Sequence, residues 1–289
     1  MGHSYYVKTN SNISISSKGL YSSWCYHQTY RTLFDCGEGC ASALDNSLPG
    51  IENVFLGHGH GDHVLGLPSL IGCRNAAQGT SRNADSMADH NKPLTIFYPA
   101  DNDLFNDLFD FCGKRYDHWL RYNLNLVPIT AGFELQLGKN IYVRAFDMLH
   151  QKRGTTLGFV IYENRKRLKP QYRGLDIPSV LRGGVASADL SEDYRANLFA
   201  YCLDAYGIPD AAVQLKDCDL AVMDTTFLDA KDRTDLTHFT LDEATKLCQD
   251  VGVKHMVAAH LGTRYDYSDY LFKTDTYTTV IDPNKVYHL

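Results

Sequence analysis

Short apolar runs alternate with segments of helical spacing from one end of this chain to the other, which is the signature of an α/β protein. The runs Thr32 to Phe34, Val54 to Leu56, Leu94 to Tyr98, Leu124 to Val127 and Ile141 to Ala145 predict strands in the first half. The runs Leu157 to Tyr162, Leu198 to Cys202, Leu220 to Met223 and Met256 to Ala259 repeat the pattern in the second. Leu104, Phe105, Leu108, Phe109 and Cys112 recur at helical spacing between two of them. A further helix should begin at Thr240, because Thr240 and Glu243 form a capping box ahead of Leu241, Ala244, Leu247 and Val251 on one face. Two segments break the rhythm. Residues from about Gln78 to Pro93 are polar and read as a surface loop, and Asn164 to Gly184 are basic and rich in glycine and proline, an excursion from a single domain spanning 1–289.

One segment carries chemistry on its face. Gly57-His58-Gly59-His60-Gly61-Asp62-His63 follows directly on the apolar run Val54 to Leu56, so that a glycine-rich turn at a strand end delivers three imidazoles and a carboxylate. Neutral imidazole and carboxylate suit zinc, and also manganese or iron. A histidine-rich surface loop or a tag remnant would not sit between a buried strand and an apolar helix. Two metals with open positions need about seven ligands, and this turn offers four. Other strand ends offer more: His150 after Ile141 to Phe146, Asp204 after Leu198 to Cys202, His260 after Met256 to Ala259, with His238 in the turn before the capped helix. Each alone would more often be a surface or capping residue; their recurrence at one end of successive strands argues for a shared site.

Composition narrows the setting. At 289 residues and 44% hydrophobic, the chain can bury a large core. Its 34 acidic and 28 basic side chains give a net charge of −6, so a polyanion would have to find a locally basic surface. The eight cysteines form no CxxC pair and lie in apolar stretches, which predicts reduced thiols. No leader-like segment and no apolar run of about 18 residues is present, so a soluble, cytoplasmic protein is expected.

The HxHxDH turn, the lone His150, an aspartate after a strand at Asp204, the block Asp224-Thr225-Thr226-Phe227-Leu228, the His238-Phe239-Thr240 turn and His260-Leu261-Gly262-Thr263-Arg264-Tyr265 together resemble ribonuclease Z, a family of the metallo-β-lactamase superfamily, and its short form most. The likeness runs from about Gly19 to Tyr270, and Arg167-Leu168-Lys169-Pro170-Gln171-Tyr172-Arg173-Gly174-Leu175 is similar to a segment of those short forms. The resemblance implies a four-layer αββα sandwich of two mixed sheets and a homodimer. It implies that His58, His60 and His150 hold one divalent metal, that Asp62, His63 and His260 hold a second, and that Asp204 bridges them, zinc being the expected metal and manganese the other candidate. It further implies that Asp62 orients or deprotonates the attacking water and that His238, held by Asp224, serves the departing oxygen. The chain departs from the family in three places: the residues flanking Asp204, an aspartate at 224 where glutamate is usual, and a longer stretch from about Val185 to Arg195.

For the substrate, the resemblance implies precursor tRNA cut at its 3′ trailer, with Arg165, Lys166, Arg167, Lys169 and Arg173 of the basic excursion gripping its phosphates. A cyclic nucleotide is the alternative on the same metal core, as in phage enzymes of this fold that degrade cyclic-nucleotide immune signals. The acidic net charge and 19 tyrosines suit that rival. A lactone or thioester hydrolase, or a vestigial binding module, would fit the His238 turn and the intact ligand set less well.

Overall fold

The computed structural model describes residues 12–78, 92–116, 120–150, 154–233, 236–271 and 277–289. Two seven-stranded sheets face each other. The first contains β1 (Ile13–Lys18), β2 (Ser22–His27), β3 (Thr32–Phe34), β4 (Asn53–Phe55), β5 (Leu94–Pro99), β6 (Leu124–Ile129) and β14 (Tyr287–His288), in the order β14-β1-β2-β3-β4-β5-β6. The second contains β7 (Glu134–Gly138), β8 (Ile141–Met148), β9 (Thr156–Leu168), β10 (Ser191–Cys202), β11 (Leu220–Asp224), β12 (Met256–Ala259) and β13 (Thr278–Val280), in the order β13-β12-β11-β10-β9-β8-β7. Each sheet is mixed: β3 to β6 are parallel to one another, as are β10 to β13, and the remaining pairings are antiparallel.

Side-chain alternation along the strands accounts for the layering, since neighbours on a strand point to opposite faces. Phe34, Phe55 and Phe97 of the first sheet meet Phe159, Phe199, Tyr201, Val222 and Val257 of the second in a core between the sheets. Phe55 and Phe97 stack there with ring centroids 4.5 Å apart. Their neighbours Leu33, Val54 and Ile96 point the other way, into a cluster with the helices α3 (Leu67–Gln78) and α4 (Leu104–Tyr116) through Leu67, Leu70, Ile71 and Phe105. Val160, Met223, Met256 and Ala258 likewise turn outward onto α7 (Leu241–Asp250), through Leu241, Ala244 and Cys248. The order of layers is therefore helix, sheet, sheet, helix, as expected. The capping box of α7 is formed in full: the Thr240 hydroxyl accepts from Glu243 N–H, and the Glu243 carboxylate accepts from Thr240 N–H.

The remaining helices are short: α1 (Cys40–Leu44), α2 (Gly61–Val64), α5 (Ile177–Arg182), α6 (Ala211–Gln214) and α8 (Ser268–Leu271). The polar loop expected from about Gln78 to Pro93 lies almost wholly outside the described residues. The basic excursion is built on paired strands. Its first residues continue β9 as far as Leu168, its tip carries α5, and the stretch 185–195 leads into β10, which pairs back antiparallel along β9. The strands β1, β2, β7, β13 and β14 were not expected, because the buried positions of β1 and β2 include serines, Ser14, Ser17 and Ser23, that break an apolar pattern.

All eight cysteines are free, and seven are buried. Burial pushes the Cys112 thiol up to about 11 and the Cys218 thiol up to about 12. A maleimide titration of the native protein is therefore expected to modify exposed Cys73 alone, and the unfolded chain to take up all eight equivalents. Rapid modification of several thiols in the native state would contradict this packing.

Candidate metal centre

Six strand ends meet at one edge of the sandwich. Asp35 follows β3, the His58 to His63 turn follows β4, His150 follows β8, Asp204 follows β10, Asp224 ends β11 and His260 follows β12. The glycines of the turn do not adopt left-handed backbone. Their contribution is room: a Cβ on Gly59 would stand 2.8 Å from Leu104 Cβ, and one on Gly66, just after the turn, 2.1 Å from the Gly37 carbonyl. Left-handed backbone occurs instead at Asp35 (φ 55°), Asp204 (φ 58°) and His260 (φ 63°), where the chain must turn its side chain back over the strand end.

The structure brings all the sequence-predicted centre residues together. Ligand atoms of His58, His60, His150 and Asp204 lie within 4.8 Å of one another, as do those of Asp62, His63 and His260. Asp204 joins the two groups with separate oxygens. Its Oδ2 is 3.2 Å from His58 Nε2 and 3.4 Å from His150 Nε2, whereas its Oδ1 is 3.2 Å from His63 Nε2 and 2.9 Å from His260 Nε2. Asp62 Oδ2 is 3.3 Å from His260 Nε2 and 3.5 Å from His63 Nε2.

The residues fit a pair of cations. His58 Nε2, His63 Nε2 and Asp204 Oδ1 are buried and, despite these short approaches, none has a hydrogen-bond partner. Buried polar atoms are rarely left so, and ions shared among atoms this close together would satisfy them. Burial holds His58, His60 and His150 below the ordinary imidazole value, His150 at about 4, so these rings are neutral and offer a lone pair. For His63 and His260 burial also works against the charged ring. Asp204, with Asp35 at His63 and Asp62 at His260, nevertheless raises both, His260 to about 10. Protons and a metal therefore compete for these two rings, and loading releases protons.

Around the ligands lies a set of positioning contacts that the sequence did not reveal. Asp35 is buried, and its Oδ2 lies 2.6 Å from His63 Nδ1 and accepts from Tyr201 Oη at 2.9 Å, while its Oδ1 accepts from Gly57 N–H at 2.8 Å. His150 Nδ1 lies 2.8 Å from the Thr237 carbonyl, and His260 N–H donates to Ser17 Oγ. Thr226 Oγ1 is 2.8 Å from His260 Nδ1 and donates to Asp224 Oδ1 at 2.7 Å. The signal for Asp35 was present, an aspartate at the end of a strand followed by Gly37 and Gly39, but its partner is set only by the fold. Asp35→Asn is expected to weaken metal affinity about 10–100-fold, because it loosens the ring orientation of His63. Metal titration of the stripped protein reads this, and an unchanged affinity would remove Asp35 from the site.

His238 sits at the edge of the cluster, partly exposed. Its Nδ1 lies 2.7 Å from Asp224 Oδ2, so the aspartate side chain is long enough to reach the ring. Its ring lies 4.9 Å from that of His150 and stacks at 5.4 Å on that of His260. Burial disfavours its charged form, yet Asp224 raises its pKa above the ordinary value.

Arg165, Lys166, Arg167, Lys169 and Arg173 are not at the centre but on the β9–β10 ribbon and its tip. The ribbon's register sets Arg167 opposite Glu192 and Lys166 opposite Asp193. Arg165 pairs with Glu163 at 2.6 Å, Arg167 with Glu192 at 2.8 Å and Lys166 with Asp193 at 3.9 Å. Residues 163–195 carry seven basic and five acidic side chains, a net charge of +2. The excursion is thus less basic than its first strand alone suggests.

Comparison with known proteins agrees with this architecture. Residues 30–169 match a family described as Beta-lactamase superfamily domain. Ribonuclease Z of Halorubrum lacusprofundi is 29% identical over 259 residues, covering 81% of this chain and 78% of that protein. Ribonuclease Z of Treponema denticola is 27% identical, with the same shares covered. Among solved structures, the short form of human tRNase Z superposes with a TM-score of 0.64 at 18% identity, over 96% of this chain and 98% of that one. The order of the sheets, the convergence of histidines and aspartates at one set of strand ends and these likenesses together give the chain a metallo-β-lactamase fold, similar in sequence to ribonuclease Z over 81% of its length.

Proposed function

We propose that the chain is a two-metal phosphodiesterase that removes 3′ trailers from precursor tRNA. The observation that carries the reading is the pairing of a ligand cluster split across the two oxygens of Asp204 with a separate, partly exposed His238 held by Asp224 at the cluster's edge. In this proposal His58, His60 and His150 take one ion, Asp62, His63 and His260 the other, and Asp204 both. Bound there, two divalent ions, zinc by the preference of imidazole-rich sites, would supply Lewis-acid stabilisation of the phosphoryl oxygens and lower the pKa of water. In the same proposal Asp62 orients the attacking water and takes its proton. His238, with Nδ1 on Asp224, presents Nε2 to donate a proton to the departing ribose oxygen. The likeness to proteins named ribonuclease Z supports RNA as the substrate.

On the ribbon, Arg165, Lys166, Arg167, Lys169 and Arg173 are the proposed phosphate contacts. Their ion pairs are exposed and each is worth about 0–1 kcal/mol, so RNA phosphates can displace the carboxylates. Exposed leucines rim the centre at Leu20, Leu65, Leu104, Leu149 and Leu236, which supports a homodimer covering part of this face. Reduced cysteines support a cytoplasmic location. No helix among the described residues is long and apolar enough to cross a membrane.

The near-neutral ribbon favours a second reading, a phosphodiesterase of cyclic nucleotides, which needs no grip on a large polyanion. Turnover of zinc- or manganese-loaded protein on a precursor tRNA and on a panel of cyclic nucleotides separates the two. The expected result is release of the trailer at one site, with a rate that falls when 165–173 are deleted. Rapid ring opening of a cyclic nucleotide with the tRNA untouched would replace the first reading by the second.

A further inference from the structure

A cleft of about 300 Å³ opens beside the metal centre, lined by Lys18, Tyr21, Leu261, Tyr265, Tyr267 and Asn284 among others. Its position is fixed by the centre itself. The wall Leu261 to Thr263 follows directly on His260, and the opposite wall is the turn between β1 and β2. That turn is pinned from both sides, Leu20 N–H donating to Asp62 Oδ2 at 3.1 Å and Gly19 N–H to the Leu261 carbonyl at 3.2 Å. Tyr21 N–H closes the turn on the Lys18 carbonyl at 3.0 Å. A group bound in the cleft therefore adjoins a phosphodiester at Asp62 and His260.

The lining has the chemistry of a nucleotide. Tyr21 is 60% exposed, so its ring is not there to fill a core. Lys18 Nζ lies 4.8 Å from the centroid of that ring and is held by Asn284 Oδ1 at 3.1 Å. Among the described residues Lys18 forms no ion pair, although the carboxylate of Asp266 lines the same cleft. Asn284 is itself fixed on Asp282 Oδ1, through its N–H at 2.9 Å and its amide at 3.3 Å. Tyr265 and Tyr267 add aromatic surface across the cleft, each with its hydroxyl engaged elsewhere, on Asp232 and on the Val280 carbonyl. An ammonium over an exposed ring that lines a cleft of this size matches the way single-stranded nucleic acid is held, by stacking on an aromatic with a cation near its phosphate.

We propose that this cleft seats the nucleotide adjoining the scissile phosphate, its base stacked on Tyr21 and its own phosphate on Lys18. The proposal rests on the phosphodiesterase reading and names the part of the substrate that the Asp62 and His260 side of the centre recognises.

The test uses metal-loaded, full-length protein and two readouts. Calorimetric titration compares adenosine 5′-monophosphate with inorganic phosphate, so that the base contribution appears as the ratio of the two affinities. Tyr21→Ala is expected to lower that ratio about 10-fold, and Tyr21→Phe, which keeps the ring and removes the hydroxyl, to preserve it. On the diester the protein cleaves, Tyr21→Ala should raise KM about 10-fold with kcat within about two-fold, and Lys18→Gln should raise KM and reduce the salt dependence of binding by about one counterion. An unchanged affinity ratio and KM in Tyr21→Ala, in protein with wild-type circular dichroism, overturns the proposal, as does equal loss in Tyr21→Phe. If precursor tRNA is not cut but the affinity ratio still depends on Tyr21, the proposed substrate is wrong and the subsite stands.

Discussion

Replacing Asp204 by alanine is expected to strip metal from the protein and to reduce phosphodiester cleavage by about 10³-fold or more, beyond the ~10–100-fold cost of a change that merely loosens a ligand. The reason is the division of labour between its oxygens. Oδ2 faces His58 and His150 and Oδ1 faces His63 and His260, so one substitution removes a donor from both groups at once. It also removes the carboxylate that, against burial, raises His63 and His260, so protons compete less well for two rings even as the site loses a ligand. Metal analysis after desalting and turnover on the same sample read both effects. Two equivalents of metal retained with near-normal turnover would refute the bridging role.

The second large effect is expected at His238. His238→Ala should slow RNA cleavage by about 10²–10⁴-fold, the usual contribution of a positioned acid, while metal content stays at the wild-type value. An activated diester such as bis(p-nitrophenyl) phosphate should lose far less, because nitrophenolate departs without a proton. Asp224→Asn should follow the same pattern more weakly. It leaves the hydrogen bonds of Asp224 to the Thr226 and Ala205 N–H groups partly intact but weakens the carboxylate that raises His238. Equal loss on both substrates would assign His238 to metal retention or structure rather than to the leaving group.

What the sequence made legible was what lies close together in the chain or at strand ends. The HxHxDH turn is a local object. His150, Asp204 and His260 could be added because each follows an apolar run, and the sheets then align those ends. Asp35 escaped notice because its partners, His63 and Tyr201, are chosen by the packing of one sheet on the other, which no local pattern records. The ribbon misled for a related reason. Arg165, Lys166 and Arg167 read as a basic run until the register of β9 and β10 sets Glu192 and Asp193 across from two of them. Cross-strand neighbours are decided by pairing, and the acids lie more than twenty residues further on. The strand β1, with buried Ser14 and Ser17 among its isoleucines, carries only a weak apolar signal, yet Ser17 holds the backbone of His260.

The left-handed backbone at Asp35, Asp204 and His260 carries one more consequence. Such conformations cost a non-glycine residue about 1–3 kcal/mol each, and at Asp35 the contacts with His63, Tyr201 and the Gly57 N–H offset that cost. The shape of this edge and the pairing of its side chains are therefore held together. Glycine at 35 would relieve the backbone but leave His63, Tyr201 and the Gly57 N–H buried without their carboxylate, so a relaxed edge is also a less stable one.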